Sequence, residues 1–135
     1  MILHQNSIIK LEYNPATDIL EVKYPDLQRF ILFEIKESLK LMVDTIRNYD
    51  VKRLLLDASS THIDISDEEN RDLSIQLAGE LARTRLQKVA RIQPLDPKKE
   101  QRAQENIKQI EKNLPLPYQL RSFSERTVAL EWLKS

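Results

Sequence analysis

Asp57 and Asp64 are the carboxylates whose setting best suits chemistry. They flank Ala58-Ser59-Ser60-Thr61-His62-Ile63, a stretch with three hydroxyls and a histidine. Paired carboxylates at one edge of a sheet can exchange protons or hold a metal. Ser59, Ser60 and Thr61 become nucleophiles only beside a base. His62 is the nearest histidine, yet no spacing of Ser, His and acid forms a triad pattern. His4 and His62 are remote from each other, and neither a helical His pair nor an EF-hand loop is present. The plain reading is that Asp57 ends a strand by accepting backbone hydrogen bonds and that Asp64 is solvated. No catalytic residue, metal ligand or cofactor is assigned from these residue types.

A second cluster is basic. Arg83, Arg85, Lys88 and Arg91 lie in an acid-free stretch from Leu81 to Pro94. Such a patch can receive a phosphate, an acidic protein or RNA. It lacks the interleaved aromatics on which bases stack. The chain's 21 basic and 21 acidic side chains also cancel, leaving no net basic field. No nucleic-acid partner is expected. Glycine occurs once, at Gly79, which excludes the Gly-rich phosphate loops. Cysteine is absent, which excludes disulfides and thiol chemistry.

These residues need a scaffold. At 135 residues the chain is expected to form one domain over 1–135. Apolar residues make up 41% and charged residues 31%, ordinary values for a globular chain. Asn6 to Tyr13 and Ile19 to Tyr24 alternate apolar and polar, and Asn14-Pro15-Ala16-Thr17-Asp18 carries turn chemistry between them. The pair reads as a β-hairpin. From Leu27 to Asn48, Leu27, Phe30, Ile31, Ile35, Leu39, Met42, Val43 and Ile46 recur at helical spacing, with Phe33 at the border. Leu54-Leu55-Leu56 reads as the core of a strand, Val51 to Asp57, covered on both faces.

Ser66 and Glu69 have the spacing of a capping box, starting a helix that runs to about Thr84. Gly79 within it is expected to allow a close approach to the sheet. Leu86 to Ile92 is a further strand. Pro97 suits the first turn of a polar helix over Lys98 to Asn113, whose thin stripe is Ala103, Ile107 and Ile110. Tyr118 to Phe123 forms the last strand. Ser124 can cap a final helix, Glu125 to Lys134, with Val128, Ala129, Trp132 and Leu133 inward. The fold class is α/β: a single-layer mixed sheet of about five strands with about four helices, in the order ββαβαβαβα. The first residues, Met1 to Asn6, lack the basic and long apolar regions of a signal peptide, and no apolar run reaches membrane-spanning length. The expected location is cytoplasmic, without membrane insertion.

This order resembles the STAS domain superfamily, and in particular its bacterial SpoIIAA-like branch. The likeness rests on Lys52-Arg53-Leu54-Leu55-Leu56-Asp57-Ala58-Ser59, similar to the family's central strand, and on Ile63-Asp64-Ile65-Ser66, similar to the loop into the next helix. It rests also on Phe123 to Leu133, similar to the closing strand end and Trp-Leu helix. In anti-sigma-factor antagonists a serine at the loop-to-helix junction is phosphorylated, and the phosphate switches partner binding. Ser66 matches that position. Ile65 and Asp67 depart from the family's Asp-Ser-Ser-Gly loop, and Asp67-Glu68-Glu69 would repel an added phosphate.

The resemblance implies a non-catalytic interaction or regulatory module. It would dock a protein partner through residues 57–69, with Asp57, Ser59, Asp64 and Ser66 as the residues to watch. A homodimer is compatible with the free surfaces, though no pattern requires one. The alternative is a carrier or sensor of a small apolar or anionic ligand, as in lipid-carrier domains of similar fold. For it, a cavity between the long helix and the sheet is the feature to seek, with Phe30, Phe33, Leu39 and Met42 as wall residues.

Overall fold

The computed structural model describes residues 1–135. The chain runs through β1 (Ile2–Gln5), β2 (Lys10–Asn14), β3 (Ile19–Lys23), β4 (Leu27–Gln28), a 3-10 turn (Arg29–Ile31), α1 (Leu32–Asn48), β5 (Arg53–Asp57) and β6 (Ile63–Asp64). It continues with α2 (Asp67–Leu81), β7 (Lys88–Ile92), α3 (Pro97–Asn113), β8 (Gln119–Phe123) and α4 (Arg126–Lys134). The main sheet has six strands in the order β1-β2-β3-β5-β7-β8. β1, β2 and β3 are antiparallel neighbours, whereas β3, β5, β7 and β8 are parallel. The fold is α/β with a mixed sheet and four helices.

The apolar pattern decides the two faces. Leu20, Val22, Leu54, Leu56 and Val89 point to one face and pack with Ile35, Leu39, Met42, Val43 and Ile46 of α1 and Leu73, Leu77 and Leu81 of α2. Each such side chain contributes about 1.5–3 kcal/mol by leaving water. Ile19, Leu55, Ala90 and Ile92 point to the other face, against Ala129 and Leu133 of α4. Strand β5 is therefore buried on both sides, as its unbroken leucine run requires. Beyond Ile19, the other face of β2 and β3 carries polar residues, and there Arg126 of α4 pairs with Glu21.

Several elements differ from the sequence expectation. The extra strand β1 is pinned by the Met1 ammonium, which donates to the Tyr13 carbonyl at 3.0 Å, and by the Asn6 carboxamide, which accepts from the Ile8 and Ile9 amides. Four residues carry too little alternation to reveal it. The long helix starts at Leu32, not Leu27. Leu27 and Gln28 pair instead with Ile63 and Asp64 in a parallel two-stranded ladder. That tertiary pairing outcompetes helical propensity, and the turn that follows swings Phe30 off the buried stripe, leaving it 96% exposed.

Gly79 has no atom within 4 Å of where a Cβ would sit, so it makes no close approach. Val128 is exposed rather than inward. Trp132 is half-buried, its ring 5.6 Å from that of Phe123. Ser124 caps nothing: α4 begins after Glu125, and no side chain bonds its first amides. The Ser66–Glu69 capping box is present as its spacing predicts.

Candidate functional site

Strands β5 and β7 end side by side, with Asp57 the register partner of Ile92. The loop after β5 leaves this edge and is stitched down along its length. The Ala58 amide donates to the Ile92 carbonyl at 3.0 Å. The Thr61 hydroxyl donates to the Tyr24 carbonyl at 3.0 Å, and the His62 amide donates to the Asp26 carboxylate at 2.9 Å. The Leu27 amide then donates to the His62 carbonyl at 2.8 Å, opening the β4–β6 ladder. The loop is thus a fixed shelf carrying the start of α2.

Asp57 and Asp64 are not brought into one site. The Asp57 carboxylate accepts the Ser59 amide at 3.0 Å and the Ser59 hydroxyl at 2.6 Å. It lines a polar hollow on the α4 side, with Lys23 and Arg126. Asp64 is exposed on β6 and shares no hollow with it. Ser59 is a donor to a carboxylate and has no imidazole beside it, so its geometry is that of a turn. No three His, Asp or Glu side chains gather in metal-holding range.

Ser66 is exposed, and its hydroxyl accepts the Glu69 amide at 3.0 Å while the Glu69 carboxylate accepts the Ser66 amide at 3.0 Å. Those bonds, together with the charges of Arg29 and Lys36, hold the Glu69 carboxyl below the usual range. Arg29 belongs to the 3-10 turn before α1 and Lys36 to the first turns of α1. Here the structure exposes apolar surface. Phe30 and Phe33 are 96% and 70% exposed, and Phe30 follows two residues after Gln28, the partner of Asp64. Ile63 adds a partly exposed side chain.

The four cations from Arg83 to Arg91 do not share a surface. Lys88 and Arg91 point to opposite faces of β7. Lys88 donates to the Trp132 carbonyl and to Ser135 at the end of α4. Arg91 reaches the other face and grips Glu100 of α3 and the Ser122 hydroxyl. Arg85 lies 3.6 Å from Asp50, and Arg83 is exposed.

No family model, curated protein or solved structure matches the chain. An apolar cleft of about 150 Å³ lies between α2, α3 and strands β5, β7 and β8. Ala103, Ile107 and Ile110 of α3 face Leu77, Ala78 and Leu81 of α2 across it, and the sheet supplies Leu56, Val89 and Leu120. The thin stripe of α3 is thus the wall of a cleft as well as a seam.

The expected cavity beneath α1 is not where the cleft lies. Leu39 and Met42 are core, Phe30 and Phe33 face outward, and none of the four lines it. Tyr24 and Tyr118 also line the cleft, and burial pushes both phenols up to about 12. The Arg91 charge pulls Tyr24 back part of the way. Tyr24, Asn70, Ser74, Lys99 and Asn106 escaped sequence reading because they come from three separated segments. A usable signal existed: the α3 stripe is too thin for a core helix and needed a partner face.

Proposed function

We propose that this chain is a non-catalytic interaction or regulatory module of STAS-like kind, docking another protein through the shelf of residues 57–69 and the adjoining aromatic pair. The observation that supports it is the exposure of Phe30 and Phe33 beside the β4–β6 ladder. Large aromatic side chains that a fold leaves in water, three residues apart in the chain, suit a contact surface. Asp64 and the acids at the start of α2 give that surface a charged rim. Ser66 belongs to it as an N-cap.

The test is a photo-crosslinking benzoylphenylalanine placed at residue 30 or 33 in the native host, with residue 128 as an exposed control on α4. An adduct of one defined mass at 30 and 33, absent at 128, supports the reading. An adduct twice the mass of the chain identifies the partner as a second copy. No adduct at 30 and 33, or the same adducts at all three positions, overturns it.

A second reading, a carrier or sensor of a small ligand, is favoured by the apolar cleft under α3.

A further inference from the structure

We propose that the cleft takes a small apolar carboxylate, its hydrocarbon body between α2 and α3 and its carboxylate against Lys99. The inference rests on the second reading above and gives that ligand a chemistry. Three observations carry it.

The first is size. About 150 Å³ is the scale of an apolar protein cavity that takes up benzene. A single ring or a short branched chain fits that space.

The second is charge. Arg91 and Lys99 are the charged side chains lining the cleft, and no carboxylate lines it. Arg91 is already committed to Glu100 and Ser122. Lys99 forms no ion pair with any carboxylate of the chain. It stands in the first turn of α3, where the helix dipole also favours an anion. A neutral ligand would leave that ammonium idle, and a cationic one would be repelled.

The third is the placing of polar groups. Asn70 and Ser74 from α2 and Asn106 from α3 line the same cleft. Tyr24, just past the end of β3, lines it as well. An apolar body with one polar end meets this arrangement of mostly hydrocarbon walls and few donors.

The experiment is calorimetric titration of the whole chain with hydrocinnamate and with its neutral counterpart, hydrocinnamyl alcohol. Wild type is expected to bind the acid about tenfold more tightly than the alcohol, the effect of one charge-assisted hydrogen bond. Lys99→Gln should erase that preference and leave alcohol binding unchanged. Ala103→Trp and Ile107→Trp fill the cleft from two points on α3 and should each abolish binding of both, with amide spectra confirming the fold. Equal binding of acid and alcohol by wild type, or a preference that survives Lys99→Gln, overturns the carboxylate assignment while leaving the carrier reading. Binding of neither compound overturns both. Full binding by a folded Trp variant places the ligand elsewhere and overturns the site.

Discussion

The Arg91 guanidinium clasps the Glu100 carboxylate with two prongs, Nη2 to Oε1 at 2.6 Å and Nη1 to Oε2 at 3.1 Å. The two side chains are only 13% and 15% exposed, so the fork binds α3 to β7 largely out of water. Gln104 adds a bond from α3 to the Ser122 hydroxyl at 3.3 Å. Ile110 is its single buried residue, and Arg102 pairs with Asp67 at the start of α2.

Glu100→Gln should therefore loosen α3 and cost about 2 kcal/mol, because it leaves a mostly buried guanidinium without its countercharge. Amide exchange in α3 should quicken first. Burial raises the Glu100 carboxyl, but the bonds from Arg91 and Gln104 and the Arg91 charge outweigh it and hold it below its ordinary 4.5. A lowered folded pKa gives stability that is present above the unfolded value and lost as pH falls through the folded one. An acid titration of stability should show that loss below about pH 4.5 in wild type and a smaller one in Glu100→Gln.

Ser66→Ala removes the hydroxyl that accepts the Glu69 amide and so opens half of the capping box, while the backbone amide of residue 66 can still donate to the Glu69 carboxylate. A fall of about 1 kcal/mol in urea unfolding is expected. Ser66→Asp should recover most of it, because Asp also accepts the Glu69 amide. A larger loss in Ser66→Asp than in Ser66→Ala would mean that charge repulsion from the neighbouring acids outweighs the cap.

Gly79→Ala should stabilise the protein by about 0.5–1 kcal/mol. The position is inside α2, its φ is not positive, and nothing lies within 4 Å of the added methyl. Alanine then loses less backbone entropy on folding than glycine. A lower melting temperature for this variant would contradict the open space.

Phe30→Ser and Phe33→Ser should change stability by no more than about 0.5 kcal/mol, as surface substitutions do. Leu39→Ala, seven residues on from Leu32 and fully in the core, should cost about 2–5 kcal/mol. Denaturant midpoints of the three variants separate the outward aromatic pair from the inward stripe.

Stability should also fall as the solution turns alkaline. Burial pushes Tyr13, Tyr24 and Tyr118 up to about 12, and for Tyr13 the bond to Asp18 adds to it. A raised folded pKa gives stability that is complete below the unfolded value, near 10.0, and lost as pH rises through the folded one. Phenolate absorbance of these tyrosines should appear together with loss of helical circular dichroism between about pH 10 and 12. Phenolates forming while the helices persist would contradict their burial.

Much of this molecule is legible in one dimension. Alternation in Leu11, Tyr13, Leu20 and Val22 marks the inner face of the hairpin, and those side chains are buried. The leucine run of β5 announces a strand covered twice. Ser66 and Glu69 announce a helix start. Each signal is local, because a pleat repeats every two residues, a helix every 3.6, and a cap within one turn.

The rest depends on pieces that meet only in space. Leu27 and Gln28 carry the helix pattern, yet they leave it to pair with Ile63 and Asp64 far along the chain. Asp57 and Asp64, near in sequence, end in different surroundings because the loop between them is bonded down to residues 24–27. Lys88 and Arg91, three apart, are sent to opposite faces by the pleat of β7, one to the end of α4 and one to Glu100. The cleft arises because the thin stripe of α3 meets α2 over the sheet without filling the space between them. Periodicity determines which way a side chain points along its own element. What it then meets is set by packing between elements, and the candidate sites are made there.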